Sequence, residues 1–222
     1  MSLFIQKKMS RNKERLLHEK DALVDIQAEK TKGIVGFFYR KYINDSRNFV
    51  LKFKGKTILD IGAGDGIILE NSGLDPIEMD ISLERCRRLK HKQRRVACGS
   101  GFEIPIKDNS VDCALLIATL EHVSKPEKVI DEIYRVLKKG GEAAILVPND
   151  ITLSIGRMLL FKFPPRYPGH IAFITPKRLK RWIKGRFEIT QKYNLPFRKA
   201  NFWISLYHFL YIKKPEAEKK IC

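Results

Sequence analysis

The residues best placed to do chemistry are acids and glycines, followed by two histidines. Thr57–Glu70 reads T-I-L-D-I-G-A-G-D-G-I-I-L-E. Asp60 stands ahead of three glycines at alternate positions, Gly62, Gly64 and Gly66, with Ala63 between the first two. Asp80 lies twenty residues further on, and Glu78 shares its face in an extended segment. In nucleoside-binding α/β folds an acid at about that distance takes the ribose hydroxyls. The dinucleotide pattern G-x-G-x-x-G fails here, because its third small position falls on Ile67, and no Lys-Ser/Thr pair follows to make a P-loop. Asp60 would also repel a pyrophosphate. An acid beside a glycine turn suits a cationic ligand without phosphate. S-adenosylmethionine, with an ammonium, a sulfonium and a ribose diol, fits. His122, in L-E-H-V, and His170, in a Pro-rich stretch beside Tyr167, are the candidates for a general base.

These residues need a scaffold, and the patterning supplies one. Ile58, Leu59 and Ile61 form a short apolar run, expected as a buried strand, with a helix expected to open at Ile67–Leu69. Asp75–Asp80, Val96–Cys98, Val111–Ile117 and Ala143–Val147 read as further strands. Leu83–Arg95 reads as a basic helix, more simply a solvated face than a nucleic-acid surface. Pro126–Leu137 reads as an amphipathic helix ended by Lys138-Lys139-Gly140-Gly141. Alternating strands and helices predict a parallel sheet covered on both faces. Upstream, Lys13–Lys32 and Phe37–Phe53 read as helices, separated by Gly33 and Gly36, that cap the active-site face or pack on the sheet edge. Downstream, Thr175-Pro176 starts a helix that stops at Gly185. Phe187–Tyr193 is a strand, and Phe202–Ile212 is a strand or a short helix. The expected division is a basic helical extension over 1–54 and one domain over 55–222, with 151–175 a substrate-side insertion.

Charge divides the chain differently. The net charge is +18 over 222 residues. Residues 1–56 carry +8, residues 57–150 carry −3 and residues 151–222 carry +13. The centre is thus near neutral and its flanks attract anions or remain solvated. Residues 151–222 also hold 13 of the 22 aromatic side chains. Aromatics among Lys and Arg suit a lipid–water interface or single-stranded RNA, or they close the core of the last strands. Four cysteines without CxxC spacing read as reduced thiols rather than a zinc site. With no apolar signal segment and no membrane-length run, a cytoplasmic protein is expected, with peripheral membrane contact open to it.

In this order, I-L-D-I-G-A-G-D-G, M-D-I-S (79–82), I-P-I-K-D-N-S-V-D (104–112), L-E-H-V (120–123), R-V-L-K-K-G-G (135–141) and H-I-A-F-I-T-P-K-R-L (170–179) resemble the class I S-adenosylmethionine-dependent methyltransferases. The nearest group is the one that holds quinone, sterol and small-molecule enzymes. The resemblance implies a doubly wound α/β fold: a mostly parallel seven-stranded sheet with helices on both faces and its last strand antiparallel. It implies that Asp60 and the backbone of Gly62, Ala63, Gly64 and Gly66 hold the methionine part of the cofactor. Asp80 would bind the ribose, Ile81 would pack on the adenine, and Ser100, Gly101 and Phe102 would meet the adenine edge. The family often has Asp-Ala-Glu at that last place; here Ser100 bonds an adenine amine more weakly, and Phe102 offers a ring to stack on the base. No N-P-P-Y/F motif follows the central strand, which argues against the amino-methyltransferases that use it.

Methyl transfer is an in-line displacement at a sulfonium. The cofactor carries the reactivity, and the protein aligns the nucleophile, excludes water and removes a proton where the nucleophile is acidic. No catalytic metal is then required. His122 and His170 are the candidate bases, each with a plainer reading as a hydrogen-bonded loop residue. The acceptor expected from the flanks is an amphipathic or lipid-like small molecule, with RNA as the alternative. A non-catalytic module that binds the cofactor is the competing reading from another class.

Overall fold

A computed structural model describes residues 33–159, 161, 163–164, 169–195, 198–199 and 205–216. The helix expected over Lys13–Lys32 lies outside them. The first element is α1 (Gly33–Leu51), followed by β1 (Ile58–Ile61), β2 (Ile77–Asp80), α2 (Leu83–His91), β3 (Arg95–Cys98) and β4 (Val111–Ile117). Then come a short 3-10 turn (Leu120–His122), α3 (Pro126–Val136), β5 (Leu137–Pro148), α4 (Asp150–Leu159), α5 (Pro176–Ile183), β6 (Glu188–Leu195) and β7 (Tyr207–Lys213).

The seven strands form one sheet in the order β3-β2-β1-β4-β5-β7-β6. The neighbours from β3 through β5 pair in parallel, and β7 runs antiparallel to both β5 and β6. The winding reverses between β1 and β4. Their carboxyl ends therefore diverge and open a crevice, the usual ligand position in such sheets.

The period-two alternation of β4 splits the core in two. Ala114 and Leu116 face one layer with Val129, Ile130 and Ile133 of α3. Cys113, Leu115 and Ile117 face the other with Ile43, Phe49 and Val50 of α1. The described helix α1 thus packs on a sheet face. Its Arg47 also donates to the carbonyls of Ile68 (2.9 Å) and Ile67 (3.1 Å), which steadies the glycine loop from behind.

Several elements differ from the sequence reading. No helix opens at Ile67: residues 62–72 run through turns closed by contacts such as Gly66 N–H to Ala63 O. Gly64 and Gly66 both sit at positive φ, a region that helix propagation does not use. Gly36 does not interrupt α1. Leu137 begins a 12-residue strand where a helix end was expected, since Lys138–Gly141 join the sheet through an irregular register opposite β4. By contrast α5 follows its sequence signals. Thr175 Oγ1 accepts from Arg178 N–H, Pro176 occupies the first turn, and Gly185 follows at φ +81°.

Candidate active site

A cleft of about 620 Å³, measured out to its mouth, opens at the crevice between β1, β2 and β4. Of the site residues singled out in the sequence, Asp60, Ala63, Gly64, Gly66, Phe102 and His170 do not line its walls, and Gly62, Asp80, Ile81, Ser100, Gly101 and His122 do. Met79, Arg85, Thr119 and Val129 join them, although their sequence context gave no warning.

Asp80, at the end of β2, is 3% exposed. Its Oδ2 accepts from Gly64 N–H (3.0 Å) and its Oδ1 from Ser82 N–H (2.8 Å). The carboxylate therefore fixes both the glycine loop and the start of α2, where Ser82 caps the helix by accepting from Arg85 N–H. Gly62 and Ala63 N–H both donate to Met79 O. Gly62 has no alternative residue: a Cβ there would lie 2.6 Å from the Thr119 side chain, at φ +72°. Thr119 is held by its own hydroxyl, which donates to Ile61 O at 2.9 Å. Gly66 serves packing instead, because its Cβ would meet Leu89 at 2.8 Å and Glu78 at 2.9 Å.

Asp60 is buried under this loop, and its Oδ2 has no hydrogen-bond partner. Burial, then the charges of Glu78 and Asp80, push its pKa up to about 8 against the pull of Arg94. Glu78, two residues before Asp80 on the same strand, is fully buried and committed to a two-pronged pair with Arg94 (Oε1 2.8 Å, Oε2 3.0 Å). Arg88 pairs with Asp65 at 2.9 Å, and Lys92 Nζ donates to Asp65 O. The basic run over 83–95 is therefore not simply a solvated face, since several of its cations bind the acids of the cofactor side. Phe102 packs against the hydrophobic core rather than forming cleft wall, which leaves Ile81 as the apolar contact expected of an adenine.

The second half of the site is built from loops after β4 and β5. His122 Nδ1 lies 2.9 Å from Gly169 O, and His170 Nδ1 lies 2.5 Å from Asp150 Oδ1. The two rings meet edge to face with centroids 5.2 Å apart. Tertiary structure thus joins two histidines 48 positions apart in the chain. Between them stands Glu121, which is 1% exposed; burial chiefly, then Asp150, pushes its pKa up to about 8. Glu121 and Asp150 escaped the sequence reading. The signal for Glu121 was its place beside His122 in L-E-H-V, and Asp150 carried none.

The donor set fits S-adenosylmethionine. A buried carboxyl with an orphaned oxygen suits a cation, Asp80 stands at the strand end where a ribose is taken, and Gly62 lets the backbone form the wall. Residues 59–145 match a family model described as a methyltransferase domain. An uncharacterised protein of Methanocaldococcus jannaschii is 37% identical over 106 residues, which is 46% of either chain. A demethylmenaquinone methyltransferase of Renibacterium salmoninarum is 31% identical over 96 residues, covering 41% of this chain and 40% of that protein. The matches thus span about half or less of these relatives. Among solved structures, a methyltransferase from Thermotoga maritima, described as a possible histamine N-methyltransferase, superimposes with a TM-score of 0.65 over 92% of this chain and all of that one. At 19% identity it speaks for the fold alone. The chain thus carries a methyltransferase-domain match over residues 59–145, on a strand order and crevice shared with the S-adenosylmethionine-dependent methyltransferase fold.

Proposed function

We propose that this protein transfers a methyl group from S-adenosylmethionine to an amphipathic, lipid-like small molecule. The observation that carries the first half is Asp80, which ties the glycine loop to the cleft wall. When bound, the cofactor supplies an activated methyl group on a sulfonium. Asp60 would meet its ammonium, Asp80 its ribose, and Ile81 with Ser100 its adenine. His122, on the cleft wall, would orient the acceptor or take its proton, and His170 would support it from the adjoining loop.

The acceptor half rests on α4 and the residues after it. Met158 and Leu159 are 52% and 75% exposed, and Phe161 and Phe163 are 86% and 69% exposed. This apolar group begins at Asp150, which holds His170, so it leads from the solvent to the site. Arg157 lies within it. A surface of exposed apolar side chains beside cations suits an amphipathic acceptor or an anionic lipid–water interface. No described helix is long and apolar enough to cross a membrane, so such contact would be peripheral. Against the RNA alternative, Trp182, Phe187, Tyr193 and Phe209 are buried in the core and are not offered as stacking platforms.

Calorimetry with S-adenosylhomocysteine and with NADH tests the cofactor: binding of the first and not the second is expected, and the reverse would sink the reading. Labelled-methyl transfer into fractionated lipid, small-metabolite and RNA pools tests the acceptor. Label in the lipid pool is expected; label confined to RNA would replace that assignment, and binding without transfer would favour a non-catalytic module.

A further inference from the structure

We propose that Glu121, His122 and His170 form a binding site for one divalent transition-metal ion, with Asp150 as the carboxylate behind His170. One ligand atom from each of the three lies within 4.8 Å of the others. Two imidazoles and one carboxylate are the donor set of open zinc and related sites, where three protein ligands leave a position for a small molecule. Each ring already carries the outer hydrogen bond that metal-ligating histidines use. His122 Nδ1 meets Gly169 O, and His170 Nδ1 meets Asp150 Oδ1. These contacts fix the tautomer with the proton on Nδ1, so a metal would be met by Nε2.

The independent observation is the state of the two acids. Glu121 is 1% exposed and its Oε2 has no hydrogen-bond partner; Asp150 is 3% exposed and its Oδ2 has none. Two buried carboxyls each leaving an oxygen unsatisfied are costly in a structure that gains nothing from them. A doubly charged cation would be met by Glu121 directly and would be balanced by Asp150 through His170. The ligands come from two elements that the backbone locks together, since Ala172 N–H donates to Glu121 O at 2.9 Å. The arrangement is thus preformed rather than assembled by the ion. It adjoins the cofactor cleft through His122, whose Nε2 would be a metal ligand in place of a proton acceptor once the ion is bound, and the site stands independently of methyl transfer.

The test uses the full chain stripped with a chelator, titrated with Zn2+ by calorimetry and with Co2+ by visible absorption. One ion per chain is expected, with ligand-field bands from cobalt in a low-coordinate nitrogen and oxygen site. Glu121→Gln and His170→Ala should each weaken Zn2+ binding about 100-fold or more, and Asp150→Asn about 10- to 100-fold. S-adenosylhomocysteine binding by the same samples reports folding and the cofactor reading separately. Should His170→Ala lose that binding too, Asp150→Asn decides. No saturable binding to the unaltered chain, or equal Zn2+ affinity in the chain and in Glu121→Gln and Asp150→Asn, overturns the site.

Discussion

The two rims of the cleft treat buried acids in opposite ways. On the cofactor rim, the buried Glu78 is held by Arg94 and the buried Asp80 by two backbone N–H groups, while Arg88 holds the half-buried Asp65. Among the described acids there, Asp60 alone keeps an orphaned oxygen. On the acceptor rim, Glu121 and Asp150 both keep one, and the nearby groups are two imidazoles, of which His170 bonds Asp150. Beyond them the chain turns apolar and exposed through Leu159, Phe161 and Phe163. A rim that binds one fixed ligand can be internally neutralised in advance. A rim that meets a second reactant has to leave valences and surface uncommitted.

Unbalancing the cofactor rim should have the largest effect. Arg94→Met leaves Glu78 charged and buried, and should destabilise the protein by about 3–5 kcal/mol, read by urea denaturation. A loss under 1 kcal/mol would mean that Glu78 can rid itself of its charge at little cost. The glycine loop comes next. Gly62→Ala should cost roughly 2–4 kcal/mol, combining a left-handed backbone with a side-chain clash. Gly64→Ala, with nothing within 4 Å of its Cβ, should cost only about 1–2 kcal/mol for the backbone. Equal losses would show that crowding against Thr119 contributes nothing.

Asp60 sharpens the comparison through pH. Its folded pKa, about 8, lies above the unfolded value of 3.8. The folded protein therefore holds a proton that the unfolded chain gives up. The resulting stabilisation is complete below about pH 4 and is lost as the pH rises towards 8. Asp60→Asn removes this dependence. Melting temperatures of the ligand-free proteins should diverge in favour of the variant between pH 5 and 8, while S-adenosylhomocysteine binding is lost. A constant difference across that range would show that Asp60 is already ionised.

The smallest effect on stability is expected on the acceptor rim. Phe161→Ser and Phe163→Ser should change stability by no more than about 0.5 kcal/mol, because these rings are exposed. Transfer to a lipid-like acceptor, and sedimentation with acidic vesicles, should fall by contrast. Unchanged transfer and sedimentation would remove α4 and its extension from the acceptor assignment.

Much of the cofactor rim was legible in the chain because it is local. Asp60 and the glycines lie within seven residues, and Asp80 ends the next strand, so strand alternation alone brings them to one crevice. The missing helix after Gly66 was not legible: Ile67–Leu69 is apolar enough to start one, but the left-handed glycines and the bond from Arg47 keep it in turns. The basic run over 83–95 was misjudged for a related reason. Its arginines pair with Glu78 and Asp65, and pairing across elements has no periodicity in the sequence.

The sheet, its alternation and the acids of the cofactor rim therefore follow from local patterns, each no longer than about one strand–helix unit. Only the tertiary structure decided that His122 and His170 are neighbours and that Glu121 and Asp150 are buried with them. Their partners come from chain segments dozens of residues apart. The desolvation that makes those carboxyls unusual exists only once β4, β5 and the loops after them have closed.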